Sequence, residues 1–237
     1  MGAVIVFANP KGGSGKSTSA MLLAEQLSEH GNRVTVLDAD PNRSIYRWLA
    51  ARKKMGMPLP FEVEHESNSE TMTGIIRKLA KENDYVLVDL EGAASQLVSR
   101  AIARAHLVLI PMMQSPLDST MAENAVRLVR VEEEVLEREI PFRILFQGVN
   151  PAFATTIERQ IEEFIAERGY PIINRRLALR SGPYKQIFAR AMLLSELEAE
   201  ADTKQARDSI AKAREEARAV TTEVVEVLRQ VASQSAA

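Results

Sequence analysis

The sequence of this chain carries, at residues 9–18, the stretch Asn9-Pro10-Lys11-Gly12-Gly13-Ser14-Gly15-Lys16-Ser17-Thr18. The apolar, β-branched run before it, Ala3-Val4-Ile5-Val6-Phe7-Ala8, has the length of a buried strand. After it, apolar residues recur at the spacing of one helix face, at Ala20, Leu23, Ala24 and Leu27. A strand, a glycine-rich loop and a helix in this order predict a phosphate-binding loop.

The residue types within this loop suit phosphate chemistry. Gly12, Gly13 and Gly15 permit positive φ angles and close backbone approach, so consecutive N–H groups can surround a phosphate at a helix N-terminus. Lys16 supplies a cation for the β- and γ-phosphates, and the Ser17 hydroxyl is placed to ligate Mg²⁺. The expected nucleotide-binding residues of the loop are Lys11, Gly12, Gly13, Ser14, Gly15, Lys16, Ser17 and Thr18.

One position departs from the common GxxxxGK[ST] pattern, because Pro10 replaces the first glycine and Lys11 follows it. With this extra lysine, KGGSGKST resembles the deviant Walker A loop of the ParA/MinD family of P-loop ATPases. The resemblance implies that Lys11 is catalytic and reaches across an ATP-dependent homodimer to the partner subunit's phosphates. The alternative from the residues alone is a solvated lysine in a tight glycine turn.

The composition restricts the possible functions. A chain of 237 residues suits a single α/β domain over residues 1–237. A net charge of −2 and an isoelectric point near 6.0 exclude a globally basic nucleic-acid-binding protein, so any DNA contact must be local. The absence of cysteine excludes disulfides and the iron–sulfur cluster of the nitrogenase iron-protein branch. Without a signal peptide or an apolar stretch of ~18 residues, a cytoplasmic, nucleoid-associated protein with no stable membrane association is expected.

Two further predicted strands end in carboxylates. The strand at residues 33–38 leads into Asp38-Ala39-Asp40-Pro41, and the strand at residues 85–89 ends in Asp89. Because ligands of open α/β sheets bind at the carboxyl ends of the strands, both carboxylate groups should lie near the phosphate loop. Asp89 is therefore a candidate Walker B residue that holds Mg²⁺ through water.

Each of these strands is followed by a residue that is expected to act near the γ-phosphate. The string DADP resembles the family's switch I element, which implies that Asp40 positions the attacking water and contributes to the metal site. Capping of the next helix by Asp40 or Asn42 is an alternative that could hold at the same time. Gly92, at the spacing D-x-x-G after Asp89, is expected to sense the γ-phosphate through its N–H. Glu91 is interpreted as a solvent-exposed switch residue rather than a base.

Two later loops are candidates for contact with the nucleotide. The string IPMMQSPLD at residues 110–118 is similar to a loop of small plasmid ParA proteins that lies near the nucleotide and the dimer partner. A turn in which Asp118 caps the following helix explains the same residues. After the predicted strand at residues 142–149, Asn150 is a candidate adenine contact, although Asn-Pro also suits a turn. Nothing in the sequence matches the guanine-reading NKxD motif, which favours ATP over GTP.

One segment differs in charge from the rest of the chain. Residues 168–195 contain six basic residues and no acidic residue, which predicts nonspecific binding to the phosphate backbone of DNA. ParA proteins carry an arginine-bearing DNA-binding loop at the place of residues 180–185, so Arg180→Glu is expected to abolish DNA binding and leave dimerisation intact. The expected DNA contacts are Arg175, Arg176, Arg180, Lys185 and Arg190.

The last part of the chain predicts a long helix over about residues 203–232. This helix lacks the basic residues opposite bulky apolar side chains that a membrane anchor of the MinD type needs, so packing on its own domain is expected. Its expected buried residues are Ile210, Val220, Val224, Val227, Leu228 and Val231.

The motifs in this order predict a doubly wound α/β fold with a mostly parallel sheet of seven or eight strands. The resemblance implies an ATPase that uses ATP and Mg²⁺, dimerises, binds DNA nonspecifically and is stimulated by a centromere-binding, ParB-like partner in plasmid or chromosome partition. The alternatives are an ATPase that assists conjugative or T-DNA transfer or positions cargo, a MinD-like membrane-cycling regulator, and a metabolic P-loop enzyme, which would not need Lys11.

Overall fold

The structure, a computed structural model, describes residues 1–92, 95–150, 155–178 and 180–234. Within these residues seven strands form one sheet in which every pairing is parallel. The strands are β1 (Ala3–Phe7), β2 (Val34–Ala39), β3 (Glu62–His65), β4 (Tyr85–Leu90), β5 (Leu107–Met113), β6 (Phe142–Val149) and β7 (Leu177–Ala178).

Helices cover both faces of this sheet. One face carries α1 (Lys16–Glu29), α2 (Ser44–Lys54), α7 (Ser181–Arg190), α8 (Leu194–Ala199) and α9 (Lys204–Gln234). The other face carries α3 (Ser69–Glu82), α4 (Gln96–Ile102), α5 (Pro116–Leu136) and α6 (Thr156–Glu167). Each face has its own apolar core, because a parallel sheet with helices on both sides is buried on both sides.

The strand order is β3-β2-β4-β1-β5-β6-β7. From β1 the chain first builds one half of the sheet and then returns to build the other half, beginning with β5. The loop after β1 therefore lies at the switch point of the topology, where open α/β sheets bind their ligands. The predicted doubly wound, parallel α/β fold is confirmed.

The strand β5 contains a proline, Pro111, two residues before its end. Proline is tolerated there because β1 pairs with β5 only as far as Phe7 and Leu109, so no ladder bond is lost on that side. The Pro111 carbonyl instead accepts a hydrogen bond of 2.8 Å from Nδ2 of Asn9. This bond fixes the start of the glycine-rich loop to the neighbouring strand.

The long C-terminal helix α9 packs against the core beside α1, and Val231, which was predicted to be buried, is half-buried. The buried residues of α9 include Ile210, Val220 and Val224, and they join the same core as α1. Among the described residues, no helix combines the length and the apolar character needed to cross a bilayer.

A buried carboxylate connects α1 to the C-terminal helices. The carboxylate of Glu25 accepts hydrogen bonds from the backbone N–H groups of Leu194, at 3.0 Å, and Ser195, at 2.7 Å. Burial raises the pKa of Glu25, and these two hydrogen bonds oppose that rise. The folded protein therefore holds a proton on Glu25 at pH values where the unfolded chain has already released it.

Glu25→Gln is expected to change how stability depends on pH. The stabilisation associated with the raised pKa of Glu25 is complete below the ordinary glutamate pKa of about 4.3 and is lost as the pH rises through the folded value. Glutamine does not titrate, so the free energy of unfolding of the variant relative to wild type should rise with pH from that point and then level off. Urea denaturation across the acidic and neutral range measures this difference, and a difference independent of pH would contradict it.

Candidate nucleotide-binding site

The glycines of the loop after β1 have the backbone conformations that a phosphate cradle requires. Gly13 and Gly15 have φ angles of 77° and 92°, and Gly15 is the N-cap of α1. A Cβ atom at Gly15 would also collide with the side chain of Gln147. The backbone angle therefore favours glycine here, a side chain would also displace Gln147, and the N–H groups at the start of α1 point toward the loop.

Gln147 on β6 supports this loop from behind. Its Nε2 donates hydrogen bonds to the Gly15 carbonyl at 3.3 Å and to Oγ of Ser19 at 2.7 Å. Gln147 could not be predicted from the sequence, because 132 residues separate it from Gly15 and it belongs to no recognisable motif. The parallel sheet brings β6 close to the start of α1.

The side chain of Lys16 folds back across the loop. Its Nζ donates to the carbonyl oxygens of Asn9, at 3.0 Å, and Lys11, at 3.2 Å. Burial lowers the pKa of Lys16, and the nearby carboxylates, chiefly Asp89 and then Asp40, oppose this effect. The loop therefore holds a buried cation that phosphate oxygens could engage in place of two carbonyls.

Ser14 adds a second sign that the loop is built for an anion. Its hydroxyl is buried and has no hydrogen-bond partner among the described residues. A buried hydroxyl without a partner is unfavourable, and a phosphate oxygen in the loop would satisfy it. Thr18, also predicted to contact nucleotide, lies in the first turn of α1 and is half-buried.

Ser17 and Asp89 meet beside the loop. The Ser17 hydroxyl donates to Oδ2 of Asp89 at 2.6 Å, while the other carboxylate oxygen, Oδ1, is buried without a partner. Burial raises the pKa of Asp89 to about 7, against the opposing effect of the Ser17 hydrogen bond. A divalent cation would favour the charged form of this carboxylate, and Mg²⁺ prefers such oxygen ligands.

The described residues provide no cluster of three or more acidic or histidine side chains with metal-ligand geometry. In proteins, Mg²⁺ usually keeps several waters and takes one or two protein ligands together with substrate phosphates. Ser17 and Asp89 therefore fit a magnesium ion held jointly with a nucleotide.

The two aspartates after β2 have different environments. Asp38 is fully buried and accepts hydrogen bonds from the N–H groups of Asp40, at 3.2 Å, and Tyr46, at 2.8 Å. Burial raises the pKa of Asp38. Asp40 is half-buried and accepts a hydrogen bond from the N–H of Asn42, at 2.7 Å. Asp38 therefore organises the turn, and Asp40 presents a carboxylate at its surface.

The alternative role of Asp40 as a helix cap is wrong, because α2 begins at Ser44 with Arg43 as its N-cap and no capping side chain.

Gly92 lies directly against the loop. A Cβ atom at this position would be 3.0 Å from the nitrogen of Gly12 and 3.2 Å from the carbonyl carbon of Lys11. The end of β4 and the phosphate loop are therefore in close backbone contact, as a γ-phosphate sensor requires. The segment that follows, Ala93 and Ala94, lies outside the described residues.

The side chain of Lys11 forms an ion pair with Asp118 on α5. Its Nζ lies 2.8 Å from Oδ2 of Asp118, whose side chain is only 2% exposed. Ser115 also bonds to the Asp118 carboxylate and is the N-cap of α5, so the expectation that Asp118 caps this helix is wrong. The sequence did not reveal the pairing, because 107 positions separate the two residues.

The adenine contact proposed for Asn150 stays a prediction. Asn150 follows β6 at the same edge of the sheet as the phosphate loop, while residues 151–154 lie outside the described residues. Glu91, which adds negative potential around Lys16, is half-buried rather than fully exposed.

The basic segment does not form the unopposed positive patch that its sequence suggests. Acidic residues on α5, α6 and α9, together with Glu200 just after α8, neutralise most of its arginines, and the side chain of Arg180 is only 15% exposed. Arg175 and Lys185 are exposed and make no side-chain ion pair among the described residues. The ion pairs are Arg168–Glu123 at 3.2 Å, Arg176–Glu162 at 2.5 Å, Arg180–Glu216 at 2.6 Å and Arg190–Glu200 at 2.5 Å.

The fold and this site together define a P-loop nucleotide-binding protein with a deviant Walker A loop. The model of the VirC1 protein family matches residues 2–231, and the chain belongs to this family. The resemblance to ParA/MinD proteins is likewise confirmed by the relatives that follow.

Two relatives come from Rhizobium radiobacter. Protein ParA is 37% identical over 185 residues, which cover 78% of this chain and 82% of the relative. Protein virC1 is 34% identical over 165 residues, which cover 68% and 71%. Among solved structures, a plasmid partition protein from Borrelia burgdorferi bound to AMPPNP matches with a TM-score of 0.70 and 15% identity, over 95% of this chain and 99% of the other.

Proposed function

We propose that this protein is an ATPase that binds ATP and Mg²⁺, dimerises around the nucleotide and binds DNA nonspecifically in that state. The observation that carries the proposal is the ion pair of Lys11, whose ammonium group contacts Asp118 of α5 and makes no hydrogen bond to the carbonyl groups that Lys16 contacts. A lysine that served only its own nucleotide would point into the loop, as Lys16 does. Lys11 is instead available to a neighbouring subunit once its pairing is exchanged.

Different residues at the site would bind the phosphates and the metal ion. Backbone N–H groups from Gly12 to Ser17 and the Lys16 ammonium bind the phosphates, and Ser17 and Asp89 hold the metal. Mg²⁺ supplies charge neutralisation of the phosphate oxygens when bound. Asp40 orients a water, and Gly92 senses the γ-phosphate through its N–H.

Binding of nucleotide would control DNA binding through dimerisation. Each contact with a DNA phosphate adds to the affinity for DNA. A dimer that presents two copies of one basic surface therefore binds DNA far more strongly than a monomer. With Arg176, Arg180 and Arg190 paired internally, Arg175 and Lys185 are the residues that support this role best. The proposed location of this cycle is the nucleoid, in the cytoplasm.

Two cellular roles fit this cycle. The similarity to a ParA protein favours partition of a plasmid or chromosome, with a centromere-binding, ParB-like partner that stimulates hydrolysis. Membership of the VirC1 family favours a second candidate, assistance to T-DNA or conjugative transfer. The two roles differ in the partner that recruits the dimer to DNA.

A mobility shift with nonspecific duplex DNA tests the proposal. The wild-type protein should bind only with ATP, and more weakly at higher salt. Arg175→Glu and Lys185→Glu should each weaken binding about tenfold and reduce the salt dependence, because each removes a phosphate contact from both subunits. Lys78→Glu, an exposed reversal on α3 on the other face of the sheet, is the matched control and should bind as wild type does.

No shift in any nucleotide state, from protein that binds ATP in a separate assay, would overturn the DNA-binding part of the proposal. Arg180→Glu is unsuitable for this purpose, because it would place a second carboxylate against Glu216 and so disturb the fold.

A further inference from the structure

Helix α5 has an unusual outward face. Its inward side buries Ala122, Ala125, Val126 and Val129 in the core. Its flanks contact the neighbouring helices, through Glu132 bonded to Ser99 of α4 and Glu123 paired with Arg168 beyond α6. The remaining face carries what we call the α5 stripe, which consists of Leu117, Met121, Asn124, Leu128, Val131 and Val135. Its middle residues Met121, Asn124 and Leu128 are half-buried, and Leu128 also packs against the core.

The spacing of the α5 stripe is that of a coiled-coil seam. Its members follow one another at alternating intervals of four and three, as the a and d positions of a heptad repeat do. Leu117, Val131 and Val135 are 58%, 48% and 71% exposed, at positions where a surface helix ordinarily carries polar residues. The stripe is about 27 Å long at the rise of an α-helix, which is enough to pack along a second helix. The polar Asn124 near its centre would fix the register of that helix.

The charge around the stripe indicates the chemistry of the occupant. Residues 130–139, at the C-terminal end of α5, contain five glutamates and two arginines. Within the described part of the chain, Glu134, Glu137 and Glu139 are exposed and have no ion-pair partner. The unpaired carbonyl groups at the helix C-terminus add to the negative potential. A helix that packs here would gain from basic residues at this end.

A second copy of the chain fits the stripe poorly. In an antiparallel pair centred on the stripe, the exposed Arg127 would face its own counterpart in the other copy. In a parallel pair, the two acidic ends would lie together. Like charges in such flanking positions oppose association.

We propose that the α5 stripe is the docking surface for an amphipathic helix of a partner protein, whose apolar heptad residues pack on the stripe and whose basic residues face the acidic end of α5. The observations that carry it are the exposed heptad spacing and the uncompensated glutamates. The proposal does not depend on ATP turnover, so it is tested without nucleotide.

Two labelled synthetic helices, each about three heptads long with leucine at the a and d positions, provide the probes. One carries lysine at the flanking positions and the other carries glutamate, so neither associates with itself. In fluorescence anisotropy, the basic peptide should bind wild-type protein at least about tenfold more tightly than the acidic peptide. Glu134→Lys with Glu139→Lys should reverse that preference.

The double variant Val131→Asn with Val135→Asn should bind the basic peptide at least about tenfold more weakly, because the two substitutions remove apolar contact without adding charge. Ile157→Asn, at an exposed apolar residue on α6, is the matched control and should bind as wild type does. Thermal denaturation confirms that each variant is folded.

Three results would overturn the proposal. The first is no binding of the basic peptide, and the second is binding that the stripe variant leaves unchanged. The third is self-association of wild-type protein in sedimentation that the stripe variant abolishes, because it would make a second copy the occupant.

Discussion

Lys11→Ala is expected to abolish ATP-dependent dimer formation while changing the affinity of the monomer for ATP by no more than about threefold. The monomer keeps its nucleotide contacts, because the Lys11 side chain lies on Asp118 rather than in its own loop. The proposed dimer loses one charge-assisted hydrogen bond from each subunit, each worth about 1.5–3 kcal/mol, which weakens association at least about 100-fold. Sedimentation velocity with a nonhydrolysable ATP analogue measures the dimer, and a binding titration measures the monomer's affinity.

Asp118→Asn is the matched control for Lys11. It keeps the shape of the side chain and removes the charge that holds Lys11 in the monomer. This variant should dimerise at the same ATP concentration as wild type or a lower one. A Lys11→Ala protein that dimerises normally would show that Lys11 serves only as a loop residue paired with α5.

Arg52→Met is expected to destabilise the fold by about 3–5 kcal/mol, because removing one partner of a buried ion pair leaves the other groups unsatisfied. The Arg52 side chain is completely buried and bonds to both carboxylate oxygens of Glu196 and to the carbonyl oxygens of Pro58 and Ala191. Methionine has a similar length and replaces none of these bonds. Urea denaturation measures the free energy of unfolding.

The exposed pair of Arg33 and Asp84 supplies the comparison for this prediction. Their side chains are far more exposed than that of Arg52, so Arg33→Met should destabilise the fold much less than Arg52→Met does. Equal costs for the two variants would mean that the network around Arg52 contributes little to folding.

The central part of the fold was predictable because it is encoded locally. The strand, the glycine loop and helix α1 occupy one continuous stretch, and their periodicities and turn chemistry need no distant partner. The carboxylates Asp89 and Asp38 were placed correctly at one sheet edge by a general rule for parallel strands.

What the sequence could not show are contacts between distant segments. The basic segment contains no acidic residue of its own, yet Glu162 and Glu216 neutralise two of its arginines from α6 and α9. The pairing of Lys11 with Asp118 and the support of Gly15 by Gln147 depend in the same way on strand order. A charge count along the chain therefore overstated how many cations are available to DNA.

Helix α1 has mechanical consequences beyond its role in phosphate binding. Its first turn forms part of the nucleotide loop. Near its other end, the Glu25 carboxylate accepts hydrogen bonds from two backbone N–H groups at the start of α8. The two points lie about 15 Å apart along a rigid rod, so a tilt of about 5° at the loop displaces Glu25 by roughly 1 Å. A rearrangement of the loop that tilts α1 would therefore displace α8, which connects α7 to α9.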